Sequence, residues 1–229
     1  MHLNTTLVYI IILIVILYGI TSVNIENFGQ KMVRKCSHID NRCYQIQEKY
    51  DERTHGGAAD ILASLNLKNL QLISYLKNKY IDREAYTKLT MPSRNFNMRK
   101  KMALNLIKRY NPNVIREHDP KGKKNVSYAW KKGEEIGYCL RERESGNYNL
   151  HDIDLLFFVN LHEISHLAST GYDTNHENGF WFNFKIILDE AINAGIYNPI
   201  NFRKTPYRYC GIDIKYNPHF DNGLDTKFE

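Results

Sequence analysis

The strongest pattern in the chain is an unbroken apolar run near its start. Residues 7–23, LVYIIILIVILYGITSV, carry no charge over 17 positions, the lower limit for crossing a hydrocarbon core of about 30 Å as a helix. The run predicts a transmembrane anchor. A cleaved signal segment is the alternative, with Ile20 and Ser22 as cleavage positions, but no Lys or Arg precedes it and it is long for a signal core of roughly 7–15 residues. Residues 24–57 are polar and mixed, end in Gly56-Gly57, and predict a tether with one short helix.

Helical spacing begins at residue 58. Ile61, Leu62, Leu65, Leu72, Ile73 and Leu76 recur at steps of three, four and seven, with Leu67 and Leu70 widening the stripe, so an amphipathic helix is expected over 58–80. A second is expected over 99–110, with Met102, Leu106 and Tyr110 on its apolar side. Ile136, Tyr138 and Leu140 alternate, which predicts a strand over 135–141 and a polar turn over 142–149. Asp152 or Asp154 then caps a helix that is apolar nearly all round (Leu155, Leu156, Phe157, Phe158, Val159, Leu161), the mark of a buried helix. Its end is expected near Gly171. A further helix over 180–194 turns Phe184, Ile187, Leu188 and Ala191 inward, and the Asn-, Pro- and Tyr-rich tail holds one short strand over 209–214. These elements predict an α+β fold, mostly helical with a small sheet. The chain divides into a short tail (1–6), the anchor or signal (7–23), the tether (24–57) and one domain (58–229).

Composition adds little until it is localised. An apolar fraction of 43% and a charged fraction of 24% are those of a globular protein. The formal net charge of +6 is concentrated in residues 88–132, where 13 Lys or Arg stand against two acids, Glu117 and Asp119. Phe96, Tyr110, Tyr128 and Trp130 are interleaved, a composition suited to DNA or another polyanion; a solvated basic face and contact with an acidic membrane are the competing accounts. Lys31, Arg34 and Lys35 follow the apolar run, so the positive-inside tendency puts the domain on the cytoplasmic side, with a secreted or lumenal domain as the alternative after signal cleavage. Cys36, Cys43, Cys139 and Cys210 form no CxxC pair. Two disulfides are permitted, one of them closing the short loop between Cys36 and Cys43, and four reduced thiols fit equally.

Chemistry concentrates in LHEISHLASTGYDTNHENGFW, residues 161–181. On a helix His162 and His166 lie about 40° apart and one turn apart in height, the bite that Zn²⁺ takes from two nitrogens at about 2.0–2.1 Å. Glu163 points about 100° away, beside the metal rather than on it, placed as a general base. His176 is the expected third ligand. His151, Glu177 and the more distant His219 compete for that role, as does Glu190 on the following helix.

HEISH, the later histidine and Phe180-Trp181 four and five positions beyond it resemble the WLM-type and SprT (Spartan)-like zinc metallopeptidases. The segments KKGEEIGYCLR, LHDIDLLFFVNLHEISHL and PYRYCGIDIKYNPHF resemble WLM-like proteins of large DNA viruses. Glu177 stands where glycine is frequent in that pattern. The resemblance implies a zincin-like core, His162, His166 and His176 as ligands of Zn²⁺, and Glu163 as the catalytic base. The expected function is therefore a membrane-anchored zinc metalloendopeptidase acting on a protein or peptide. The strand over 135–141 could hold the substrate by strand addition, and Tyr172, Tyr207 and Tyr209 are candidate oxyanion donors. A nucleic-acid-associated protease acting on DNA-bound proteins, and a non-catalytic, metal-stabilised, membrane-tethered binding protein, are the alternatives.

Overall fold

The computed structural model describes residues 31–122, 125–143, 146–169, 176 and 178–227. The anchor or signal expected at 7–23 lies outside them; among the described residues no helix is long and apolar enough to cross a membrane. The fold is α+β, as expected. A five-stranded mixed sheet is built from β1 (Met32–Cys36), β2 (Cys43–Gln47), β3 (Ile115–Glu117), β4 (Tyr128–Trp130) and β5 (Glu135–Tyr138), in the order β1-β2-β3-β5-β4. β2, β3 and β5 run parallel, while β1 and β4 are antiparallel edges. Five α-helices accompany it among the described residues: α1 (His55–Lys77), α2 (Glu84–Leu89), α3 (Ser93–Arg109), α4 (Ile153–Ala168) and α5 (Asn178–Asn193).

Two expectations need correction. The described part of the 24–57 tether is no tether: β1 and β2 form a hairpin in the sheet, closed by a disulfide between the paired residues Cys36 and Cys43, and a 3₁₀ turn (Glu52–Thr54) leads into α1. The alternation of Tyr44 and Ile46, both buried, with exposed Gln45 is the period-2 signal, short enough to be hidden among polar neighbours. The single strand over 209–214 is instead a hairpin of β6 (Tyr207–Tyr209) and β7 (Ile212–Ile214), reversing through Cys210 and Gly211 at φ 46° and 90°.

The sheet has one wet and one dry face. Arg34, Gln45, Arg116, Gly137 and Tyr128 form a row across its outer face. A Cβ at Gly137 would come within 2.6 Å of the Tyr128 ring, so only glycine admits that ring against the strand. Ile46, Ile115, Ile136 and Tyr138 point the other way, into the core. There α1 buries Ala58, Ala59, Leu62, Leu65, Leu72 and Leu76. Asn66 and Asn69 share that buried stripe, whereas Leu67 and Leu70 stay 37% exposed. α1 runs into a π-helical turn (Asn78–Asp82) that buries Tyr80.

α4 is the central helix: twelve of its sixteen residues are buried. Asp152 caps it, its carboxylate accepting the Asp154 N–H at 2.8 Å. α5 packs on it through Phe158 and Phe184, with ring centroids 5.3 Å apart. A second disulfide, between Cys139 and Cys210, fastens the β6–β7 hairpin to the chain just beyond β5, across a sequence separation of 71.

Loop closure ranks the two disulfides. Replacing Cys139 and Cys210 together by serine is expected to lower the unfolding free energy by about 4 kcal/mol, and replacing Cys36 and Cys43 by about 2–3 kcal/mol. Urea denaturation of the two double variants measures both, and equal losses would contradict the loop-length account.

Candidate metal centre

α4 carries the histidine pair where the helix is least covered. His162 and His166 are both half-buried, with ring centroids 5.2 Å apart. His176, exposed, comes back over them: its Nε2 lies 2.8 Å from that of His162. One ring nitrogen from each of His162, His166 and His176 lies within 4.8 Å of the others. His151, by contrast, packs against Tyr209 and places Nε2 3.4 Å from Cys210 Sγ. His219 pairs with Asp189 at 2.7 Å. Glu177 and Tyr172 lie outside the described residues.

Glu190, the alternative ligand from the next helix, is committed elsewhere. Its buried carboxylate accepts hydrogen bonds from Tyr80 Oη at 2.5 Å, Lys79 Nζ at 2.7 Å and Arg99 Nη1 at 2.8 Å. Among the candidate oxyanion donors, Tyr209 is buried and its hydroxyl donates to Cys139 O at 2.9 Å while sharing a 2.6 Å bond with Ser127, so it has no route to a substrate. Tyr207 is exposed on β6.

An aromatic wall stands behind the histidines. Phe180 stacks on the His166 ring with centroids 4.2 Å apart and planes at 21°, and packs edge-on to His162. Trp181 Nε1 donates to the backbone carbonyl of His176 at 3.1 Å. Phe180 thus backs the rings of the histidines, and Trp181 also holds the backbone of His176.

Electrostatics favour a cation-binding form. Burial, reinforced by its two histidine neighbours, holds the His162 imidazole well below the usual range, and burial also lowers His176. Both shifts favour the neutral form that a metal ligand needs. Three imidazole nitrogens closing on one point suit Zn²⁺ and other divalent transition ions that take nitrogen donors. Glu163, only 5% exposed, accepts the backbone N–H of Ala129 on β4. Burial pushes its carboxyl up to about 8, the Ala129 N–H drawing it partly back; a dication beside it would favour the ionised form further.

Sequence inspection missed the groups that hold α4 in place. Arg109 donates through Nη1 to the carbonyls of Leu167 at 2.7 Å and Ser169 at 2.8 Å. Asn105 reaches Ala168 O at 3.0 Å, and Lys132 reaches His166 O at 3.3 Å. These cap the carbonyls that an α-helix leaves open, with cations at its negative end. All three lie in the stretch 88–132, and two of them, Arg109 and Lys132, belong to its basic residues. Others of that stretch also turn inward: Arg99 pairs with Glu190, Lys100 with Glu84, and Arg116 with Glu135, whereas Lys88 stays exposed and pairs with Glu84 one helical turn away. Lys101 and Lys108 remain exposed on α3.

Comparison with known proteins gives two viral relatives. The chain is 31% identical over 213 residues to the uncharacterized protein R325 of Acanthamoeba polyphaga mimivirus, covering 90% of this chain and 95% of that protein. It is 36% identical over 64 residues to the uncharacterized protein 136R of Invertebrate iridescent virus 6, covering 28% and 35% of the two chains. No family model matches the chain, and no solved structure matches it significantly.

His162→Ala or His166→Ala is expected to abolish binding of one equivalent of zinc. Glu190→Gln should keep the zinc and lower stability by about 1–3 kcal/mol, because it takes the charged acceptor from the partly buried Lys79 and Arg99. Elemental analysis with urea titration reads both; loss of zinc in the folded Glu190→Gln protein would put the ligand set elsewhere.

Proposed function

We propose that this chain, which belongs to the same family as mimivirus protein R325, is a zinc-dependent endopeptidase. The observation that carries the reading is the convergence of His162, His166 and His176 with a buried glutamate on the same helix. The likeness of HEISH and HENGFW to WLM-type and SprT-like peptidases points the same way, as does the small sheet with an antiparallel edge strand lying against the histidine helix, an arrangement expected of a zincin-like core.

His162, His166 and His176 would hold the ion. When bound, it supplies Lewis acidity toward a carbonyl and lowers the pKa of an adjacent water to about 7. Glu163 does the proton work. Its carboxylate takes the proton of the attacking water and delivers it to the leaving amine nitrogen. The Ala129 N–H fixes the carboxylate's position against the rim of β4.

Substrate pairing belongs to β4 rather than β5. β5 is flanked on both sides, by β3 and β4, and has no free edge. β4 has one, and it is the strand whose backbone touches Glu163, so an extended peptide added there would run past the base. Trp130, 48% exposed on that strand, offers apolar contact to the peptide.

The two disulfides support an oxidising compartment for the domain. That favours the lumenal or secreted alternative over the cytoplasmic side suggested by Lys31, Arg34 and Lys35. The inward pairing of Arg99, Lys100, Arg109 and Arg116 weakens the case for DNA-bound substrates.

Glu163→Gln is expected to retain zinc and fold while losing peptidase activity by about 10²–10⁴-fold. Wild type and variant, compared by metal content and cleavage of an unfolded protein substrate, make the test. Full activity in the zinc-loaded variant sinks the mechanism, and an inactive but zinc-stabilised wild type supports the non-catalytic binding protein.

A further inference from the structure

A second polar site lies where three parallel strands end and α1 begins. Lys49, Tyr50, Asp51, Thr54, Arg141, Asn147 and Tyr148 wall a cavity of about 220 Å³ that shares no residue with the metal centre. Arg141, 2% exposed, is its buried cation. The Arg141 Nε donates to Glu117 Oε1 at 2.7 Å, and Nη1 donates to Thr54 Oγ1 at 2.7 Å. Nη2 is buried with no hydrogen-bond partner. Glu117 is itself engaged at both oxygens, since Oε2 accepts the Gln47 N–H at 2.9 Å. A buried guanidinium N–H pair without an acceptor is costly, and folded proteins rarely leave one so.

We propose that this cavity binds a small carboxylate through the Arg141 guanidinium. The local charges define the ligand. Among the residues that line the cavity, Lys49 and Arg141 stand against Asp51, leaving one positive charge in excess on the lining. One open donor group and one surplus charge match a monoanion better than a phosphate dianion. Tyr50 cannot compete for the ligand as a donor, because its hydroxyl donates to Asp119 at 3.0 Å. Its ring serves as a wall instead, lying over the guanidinium with its centroid 4.5 Å from Cζ. The Tyr148 ring lies 5.1 Å from that of Tyr50 and is 42% exposed, so it forms an outer wall of the cavity. Two aromatic side chains in the wall of a cavity that holds one guanidinium suit a carboxylate on a short apolar body.

The test follows the Arg141 Nε–Hε resonance of the full chain, labelled with ¹⁵N-arginine, while sodium acetate replaces sodium chloride at constant ionic strength. A saturable shift is expected, half complete at a concentration on the order of millimolar. Lys49→Met, at a half-exposed position, should weaken it roughly threefold. Arg141→Lys, where circular dichroism shows it folded, should remove saturation. Should that variant not fold, the wild-type and Lys49→Met titrations decide alone. A shift that does not saturate, one reproduced by chloride, or saturation by inorganic phosphate and not by acetate overturns the assignment. So does a crystal structure grown in acetate with only a water on Nη2.

Discussion

A helix buried on nearly every side has to find a partner for each polar group it carries, and α4 carries many. Asn160 exchanges two hydrogen bonds with Asn69 of α1, at 2.9 and 2.6 Å, and accepts a third from Tyr138 of β5 at 2.6 Å. The chain of contacts continues through Tyr110, Asn66 and Tyr44 to Asp40 in the β1–β2 turn. Each bond in such a network adds only about 1 kcal/mol of net stability, but an orphaned member costs its full desolvation. The network therefore acts as an orientation device: rotating α4 about its axis would strand Asn160 and Glu163 together. With those two fixed, the remaining strip of the helix, where His162 and His166 lie, has only one direction to face.

The parts of this protein written in local period were readable from the chain. α1, α4 and α5 begin and end within about three residues of the limits set by apolar spacing, by Asp152 and by the glycines. α3 ends as expected but begins at Ser93, six residues before the expected start. The grouping of His162, His166 and His176 followed from helical pitch and a turn. The β1–β2 hairpin did not, because five-residue strands offer only two or three alternations. The inward-turned cations did not either. Thirteen basic residues in 88–132 look like a surface for polyanions until Glu84, Glu135 and Glu190, distant in sequence, are folded against them. Charge partners separated by 16 to 91 residues leave no periodic trace.

The contact between Glu163 and β4 was invisible for a different reason, since a backbone N–H has no letter in a sequence. Its placement depends on the β4–β5 connection, where Lys131, Lys132 and Gly133 all take positive φ, at 42°, 61° and 108°. Only glycine takes the last of these without strain. A Cβ on Gly133 would also stand 2.7 Å from the carbonyl of Arg109 and 3.0 Å from Leu167 Cδ2. Arg109 thus meets the hairpin with its carbonyl and the end of α4 with its guanidinium. One residue at the end of α3 sets the distance between the edge strand and the histidine helix. The separation that brings the Ala129 N–H to Glu163 is thereby fixed by packing at the far end of both elements, and it holds without any group in the cleft itself.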